Sequence, residues 1–217
     1  MILIYNRPHN LDKSIPNLVN LDIIDEIIIL HGHKDHKKII KHPKVKNIDD
    51  WDNNDKYYTL RKFKNVKYCK NQTVLLLDDD LYPSKDLVLN LVKEFKKDKN
   101  NIYGNTKRLC NKDGYHTWPV VNKYNYILTN LVLSSRNVVE NVFEKMKQNK
   151  EFYNLVLKQK GNCEDLLFNH EFIKLYNKTP VFVGGHVTNL DNKKGFSTTN
   201  RFHHYKIRRE FCKSINK

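Results

Sequence analysis

The stretch Thr73-Val74-Leu75-Leu76-Leu77-Asp78-Asp79-Asp80 carries five uncharged residues into three consecutive carboxylates. An apolar run of this kind, with no polar side chain at alternate positions, is the pattern of a strand buried on both faces, the habit of parallel sheets covered by helices. Ligands of such sheets sit at the carboxyl ends of the strands. The stretch therefore predicts an α/β core and places three aspartates at its mouth.

The flanking sequence extends that pattern. Residues 2–5 and 23–30 are short Ile-rich runs, and residues 8–21 between them space their apolar side chains as a helix does, with Pro16 inside. Residues 45–48 form a short strand and residues 55–68 a basic amphipathic helix. Beyond the aspartates, residues 87–95 are helical, with Ser84 as the N-cap. From residue 100 to 134, runs such as IYGN, HTWPVV and YNYILTNLVL are broken by turn signals such as Lys112-Asp113-Gly114, as expected of strands and excursions at the far side of a sheet. Residues 137–148 and 164–176 read as helices, 181–183 as a last strand and 202–215 as a basic terminal helix, with loops at Gly184-Gly185 and 192–200. No internal repeat or low-complexity linker divides the chain. The expectation is one α/β domain with a mostly parallel, doubly wound sheet.

Composition narrows the class. Of 217 residues, 39% are hydrophobic and 29% charged, enough apolar material for a folded core. No stretch approaches the ~20 apolar residues of a membrane span, and the start lacks the layout of a secretory signal, so the expected location is the cytoplasm. Four cysteines without a CxxC pair suggest neither a zinc knuckle nor a dense disulfide framework, and most are expected to be free thiols. Thirty-nine basic against 24 acidic residues give +15, which favours polyanionic partners, although a Lys/Asn bias of genomic origin produces the same balance.

Three clusters could carry chemistry. Adjacent aspartates at a strand end repel one another unless they share a cation, and oxygen-only ligands suit Mg²⁺ or Mn²⁺ completed by phosphate oxygens of a substrate; the plain alternative is that they cap the next turn. Asn162-Cys163-Glu164-Asp165 opens a helix, where acidic residues also simply complement the dipole. Asn200-Arg201-Phe202-His203-His204, followed by Arg208 and Arg209, could meet a diphosphate or a metal, or be a solvated basic helix.

Taken in order, Tyr5-Asn6-Arg7 after the first strand, the apolar strand into Asp78-Asp79-Asp80, the NCED helix start and a terminal segment with Gly195, Arg201, His204, Arg209 and Cys212 resemble the exostosin-type glycosyltransferases. The pairing of LLLDDD with NCEDLLFN is the most specific element, and the resemblance spans nearly the whole chain. It implies a single GT-A domain, a Rossmann-like α/β fold with a doubly wound, mixed sheet, together with a UDP-sugar donor, Mn²⁺ or Mg²⁺ held by the aspartates, a glycan or glycoprotein acceptor, and transfer that retains the anomeric configuration. The nucleotide-binding half would cover about residues 1–100 and the acceptor and catalytic half about 101–217.

Carried over residue by residue, Asp80 would be the direct metal ligand, with Asp78 and His203 as further candidates. Asp78 would also lie by the uridine or ribose, and Asp79 by the ribose and sugar. Asp165 would be the carboxylate near the reacting carbon, with Glu164 beside it. Arg201 would contact the diphosphate, His204 would complete an Arg-x-x-His pattern, and Asn6, Arg7 and Arg61 would line the uridine and donor sugar. In that family a cysteine beside the catalytic helix lies close to one in the terminal helix. Cys163 and Cys212 are the counterparts here, and their Cα atoms are expected within about 7 Å, reduced in a cytoplasm. Animal members carry a membrane anchor and longer central loops, which this sequence lacks; a stand-alone enzyme, or a domain of a larger cytoplasmic or virus-encoded transferase, would account for that.

Breaking a sugar–phosphate bond builds negative charge on the diphosphate and oxocarbenium character on the sugar. Metal and Arg201 answer the first, Asp165 the second, and front-face attack within an ion pair is expected over a covalent intermediate. A metal-dependent nuclease or phosphodiesterase would use similar carboxylates, with two metals ~4 Å apart. A non-enzymatic nucleic-acid-binding module would use Tyr57 and Tyr58 among the lysines of residues 56–70, but it has no use for an acidic strand end.

Overall fold

The computed structural model describes residues 2–4, 7–117, 123–190 and 201–217. Tyr5, Asn6, Gly195 and the loop 192–200 lie outside these. In chain order the elements begin with β1 (Ile2–Ile4), α1 (Leu11–Val19), β2 (Ile27–His31), β3 (Val45–Asp49), α2 (Asn54–Tyr57), α3 (Arg61–Lys64), β4 (Thr73–Asp78), β5 (Leu81–Pro83), α4 (Lys85–Phe95) and β6 (Tyr103–Gly104). There follow β7 (Lys107–Asn111), β8 (Gly114–His116), β9 (Tyr126–Ile127), β10 (Leu131–Ser135), α5 (Arg136–Gln148), α6 (Lys150–Lys158), α7 (Glu164–Tyr176), β11 (Val181–Phe182), β12 (Val187–Asn189) and a terminal helix α8 (Arg201–Ile215).

Seven strands form one mixed sheet in the order β11-β6-β10-β4-β1-β2-β3. β4, β1, β2 and β3 run parallel, whereas β10 is antiparallel to both β4 and β6. Successive side chains of a strand point to opposite faces, and the sequence uses both. Ile28, Leu30, Val74, Leu76 and Val132 enter a core with Phe63, Phe143, Phe168 and Phe172. Ile27, Ile29, Leu77, Leu131 and Leu133 enter a second core with α1 and α4. Burial on both faces is why the strand at residues 73–77 shows no alternation. Leu3 stands opposite Asp78, so the aspartates emerge at the carboxyl ends of the central strands.

Ser84 caps α4 as expected, its hydroxyl accepting from Leu87 N at 3.2 Å. The expected helix over residues 55–68 is instead broken into α2, α3 and two single 3-10 turns, Tyr58–Leu60 and Asn65–Tyr68. One helix could not turn Leu60, Phe63 and Val66 to the core and also bury Arg61 and Lys62. The break occurs at Tyr58, whose φ is 46°. Helix α6 was not legible as a separate element.

The cysteine expectations need correction. Cys110 and Cys212 form a disulfide with a Cα–Cα distance of 5.3 Å, while Cys69 and Cys163 are buried thiols. The partner of Cys212 is therefore on β7 rather than at the start of α7, because α8 packs along β7 and β8. At one sheet edge, β3 is flanked by the 37–42 loop, where the Asn47 side-chain amide donates to Ile40 O at 2.9 Å and accepts from Ile40 N at 3.2 Å.

Candidate functional site

The end of β4 is fixed by its neighbour, since Asp78 N donates to Asn130 O at 2.8 Å. Arg7, just beyond β1, donates from one guanidinium nitrogen to Asp79 and from the other to Asp80 Oδ2 at 2.9 Å. Burial pushes the Asp79 carboxyl up to about 7 and raises that of Asp80, against the pull of Arg7.

A second cation links this cluster to α7. Lys62 Nζ donates to Asp78 Oδ1 and to Thr129 O, each at 3.2 Å, and lies 3.3 Å from Glu164 Oε1, with its side chain 3% exposed. Burial works against its charge, and Asp78, Glu164 and Asp165 more than offset that, so the ammonium is retained.

The first turn of α7 is set by its approach. Gly161 has φ +88°, and a Cβ there would lie 2.3 Å from Thr59 Oγ1, which itself donates to Gly161 O. Cys163 follows in the left-handed region, φ 72°, a conformation that costs energy for a non-glycine residue. This turn buries Glu164 and Asp165. Asp165 Oδ2 accepts from Arg208 Nη2 of α8, and Oδ1 is buried with no hydrogen-bond partner among the described residues. The two carboxyls are driven apart: burial raises Glu164 to about 7, while at Asp165 burial is outweighed by Arg208 together with Lys62, which hold it below the usual range. His204 O accepts from Asn162 Nδ2, and burial with Arg208 pushes the imidazole down to about 4.

The structure thus joins Arg7 and Asp78–Asp79–Asp80, through Lys62, to Glu164, Asp165, Arg208 and His204. Arg61 is elsewhere engaged: it is buried, with Nε donating to Tyr58 O and Nη1 to Asp50 O, and its guanidinium packs on Gly32. Arg201 and His203 are exposed on the first turn of α8, Arg201 over the Tyr205 ring. Asn6 lies outside the described residues. Lys62 was hidden among neighbouring lysines, whereas Arg208, four residues after His204 on one helix face, carried a legible signal.

Among the described residues no three His, Cys, Asp or Glu side chains converge on a cation position, so Asp78, Asp80 and His203 do not make a cage. The oxygen-only donor set of Asp78, Asp79 and Asp80 nevertheless fits a hard divalent ion held by one or two carboxylates, with the rest of the shell from a phosphate-bearing ligand.

The glycosyl transferase family 64 domain model matches residues 1–217. No curated protein sequence matches the chain. Among solved structures, GalNAc-T7 with UDP, GalNAc and Mn²⁺ superposes with a TM-score of 0.60 at 12% identity, over 88% of this chain and 42% of that one. The 4-diphosphocytidyl-2C-methyl-D-erythritol synthase of Anaerococcus prevotii gives 0.54 at 15% identity, over 85% and 86% of the chains. The Francisella tularensis 2-C-methyl-D-erythritol 4-phosphate cytidylyltransferase gives 0.53 at 15%, over 92% and 98%. The fold is that shared by GT-A-type glycosyltransferases and nucleotidyltransferases.

Proposed function

The chain belongs to glycosyl transferase family 64, and from that premise we propose that it moves a hexose-type sugar from a UDP-sugar to a glycan or glycoprotein acceptor with retention, as an exostosin-type enzyme. The observation that carries this reading is the Asp165 carboxylate. One oxygen is pinned by Arg208 and the other is buried without a partner, an anion held ready for positive charge developing on a sugar ring. Lys62 fixes the distance between this carboxylate's helix and the acidic strand end.

In this reading Asp80 and Asp78 hold Mn²⁺ or Mg²⁺, which when bound neutralises charge on the departing diphosphate. Arg7 is freed from Asp79 and Asp80 to meet the nucleotide, Arg201 approaches the diphosphate from α8, and His204 remains an uncharged neighbour of Asp165. Residues up to about 100 form the nucleotide half and the remainder the catalytic half. The nuclease reading requires carboxylates free for a second metal, yet Glu164 faces Lys62 and Asp165 faces Arg208. A nucleic-acid-binding module leaves the buried acidic network without a role. Among the described residues no helix is long and apolar enough to cross a membrane.

Calorimetry of UDP with Mn²⁺ tests the proposal. Binding should require metal, vanish in EDTA and fall at least about tenfold in Asp80→Ala. Undiminished UDP affinity without metal removes the donor and cofactor assignments together.

A further inference from the structure

Helix α8 carries different chemistry on its two faces. Arg208, Phe211, Cys212 and Ile215 are buried, and that side is tied to the molecule by the ion pair with Asp165 and the bridge to Cys110. On the other side Phe202, Lys206, Arg209 and Lys213 are exposed. Their spacing is i, i+4, i+7, i+11, so at 3.6 residues per turn they fall within one stripe about 60° wide. Glu210, the one carboxylate of the helix, lies outside that stripe.

Two observations separate this stripe from a surface that is merely rich in lysine. Elsewhere helical cations are paired with acids one turn away: Lys97 with Glu94, Arg136 with Glu140 and Lys147 with Glu144. Lys206, Arg209 and Lys213 form no ion pair among the described residues. The second observation is Phe202, 84% exposed where no other large hydrophobic among the described residues exceeds 49%. An aromatic ring in water beside a row of cations gains by entering an apolar phase whose surface is anionic. The row is also held in place, because Gly114 of β8, where a Cβ would lie 2.7 Å from Arg209 Cγ, gives the arginine stem its seat. Single-stranded nucleic acid is held in grooves with several stacking rings, and duplex bases are read by amide and guanidinium forks. One ring and two ammonium groups on a convex helix suit a plane of lipid headgroups better than either.

We propose that this stripe docks the protein on an anionic lipid surface, with Lys206, Arg209 and Lys213 meeting the headgroups and Phe202 entering the acyl boundary. The proposal is independent of the reaction assigned to the site. Sedimentation with extruded vesicles tests it. The protein should bind phosphatidylcholine vesicles containing about 30% phosphatidylserine in about 0.1 M salt, and should not bind pure phosphatidylcholine. A cation at such a surface contributes about fivefold in affinity, so Lys206→Gln, Arg209→Gln and Lys213→Gln combined should weaken binding about a hundredfold. Lys93→Gln, Lys96→Gln and Lys99→Gln combined remove the same charge from exposed positions on and after α4, and should weaken it less than about threefold. Phe202→Ser should weaken it about tenfold. Equal losses in the two triple variants would reduce the effect to net charge and overturn the proposal. So would parent-like binding by Phe202→Ser, or no binding of the parent protein to the serine-lipid vesicles. If oligouridylate or a DNA duplex binds through the stripe and vesicles do not, the face reads nucleic acid and the proposal falls.

Discussion

Arg208 Nη2 lies 2.5 Å from Asp165 Oδ2, with both side chains almost sealed from solvent. The terminal helix is thereby held ionically to the first turn of α7, at the carboxylate assigned to the reaction. Removing one partner of a buried pair strands the other charge, at a cost of about 3–5 kcal/mol. Arg208→Ala should lose that much in urea unfolding. Asp165→Asn, which keeps a hydrogen-bonding group, should leave UDP affinity nearly unchanged and lower turnover by orders of magnitude. A decline of only a few-fold would make Asp165 a structural helix-start residue.

Lys62 bridges Asp78 and Glu164 as their shared counter-ion. Lys62→Met should destabilise the fold by several kcal/mol, on the order of other broken buried pairs, and Lys62→Arg should recover most of that loss. Equal melting temperatures for Lys62→Met and the parent protein would contradict the bridge.

Glu164 gives a pH signature. Its carboxyl is raised to about 7, chiefly by burial, while an unfolded glutamate titrates near ~4.3. Between those values the folded state keeps a proton that the unfolded state has released, so this residue makes stability fall as pH rises from about 5 to 7. His204, pushed down to about 4, acts with the opposite sign below about pH 6.5. Asp165, held low by Arg208, acts only in more acid solution. The difference between parent and Glu164→Gln isolates this carboxyl's contribution: urea midpoints measured from roughly pH 5 to 8 should diverge, the variant losing less stability on alkalinisation. Parallel curves would place Glu164 in contact with water.

The Cys110–Cys212 bridge closes a separation of 102 residues. Chain-entropy arguments assign about 4.7 kcal/mol to a loop of that order. Cys212→Ser, or reduction by dithiothreitol, should lower the melting temperature, whereas Cys163→Ser should leave the response to reductant unchanged. Mass spectrometry that finds four free thiols in the oxidised protein would contradict the pairing.

Much of the fold was legible because it depends on local pattern. The run at residues 73–77 declares a doubly buried strand without reference to anything distant, the Ile-rich run at 23–30 contains the strand Ile27–His31 within a residue at its end, and Ser84 declares its helix in the same way. The broken region around Arg61 and Lys62 was not legible, since what buries those charges is Asp50 in one case and Asp78 with Glu164 in the other. Four cysteines allow six choices of a single bridge, and spacing does not choose among them. At the site, the acidic residues could be identified by type, but their cations come from elements far away in the chain. Resemblance pointed to Asp165 and the terminal helix offered Arg208 by type, whereas their pairing depends on α8 packing beside the start of α7.

The Asn47 amide that closes on Ile40 bears on how copies of this chain behave when crowded together. An edge strand offers unpaired backbone groups on which another chain can add a strand. Here the Asn47 amide engages both backbone polar groups of Ile40 across the loop beside that edge, while Lys46 and Asp49 are exposed along the strand. With +15 of net charge adding mutual repulsion, one amide helps guard against fibrous self-association. Asn47→Val would loosen the 37–42 loop, leaving the Lys37–Asp49 and Lys38–Asp12 ion pairs as its ties, and uncover a more β-prone strand, and light scattering in concentrated, high-salt solution should reveal growing assemblies where the parent protein stays dispersed.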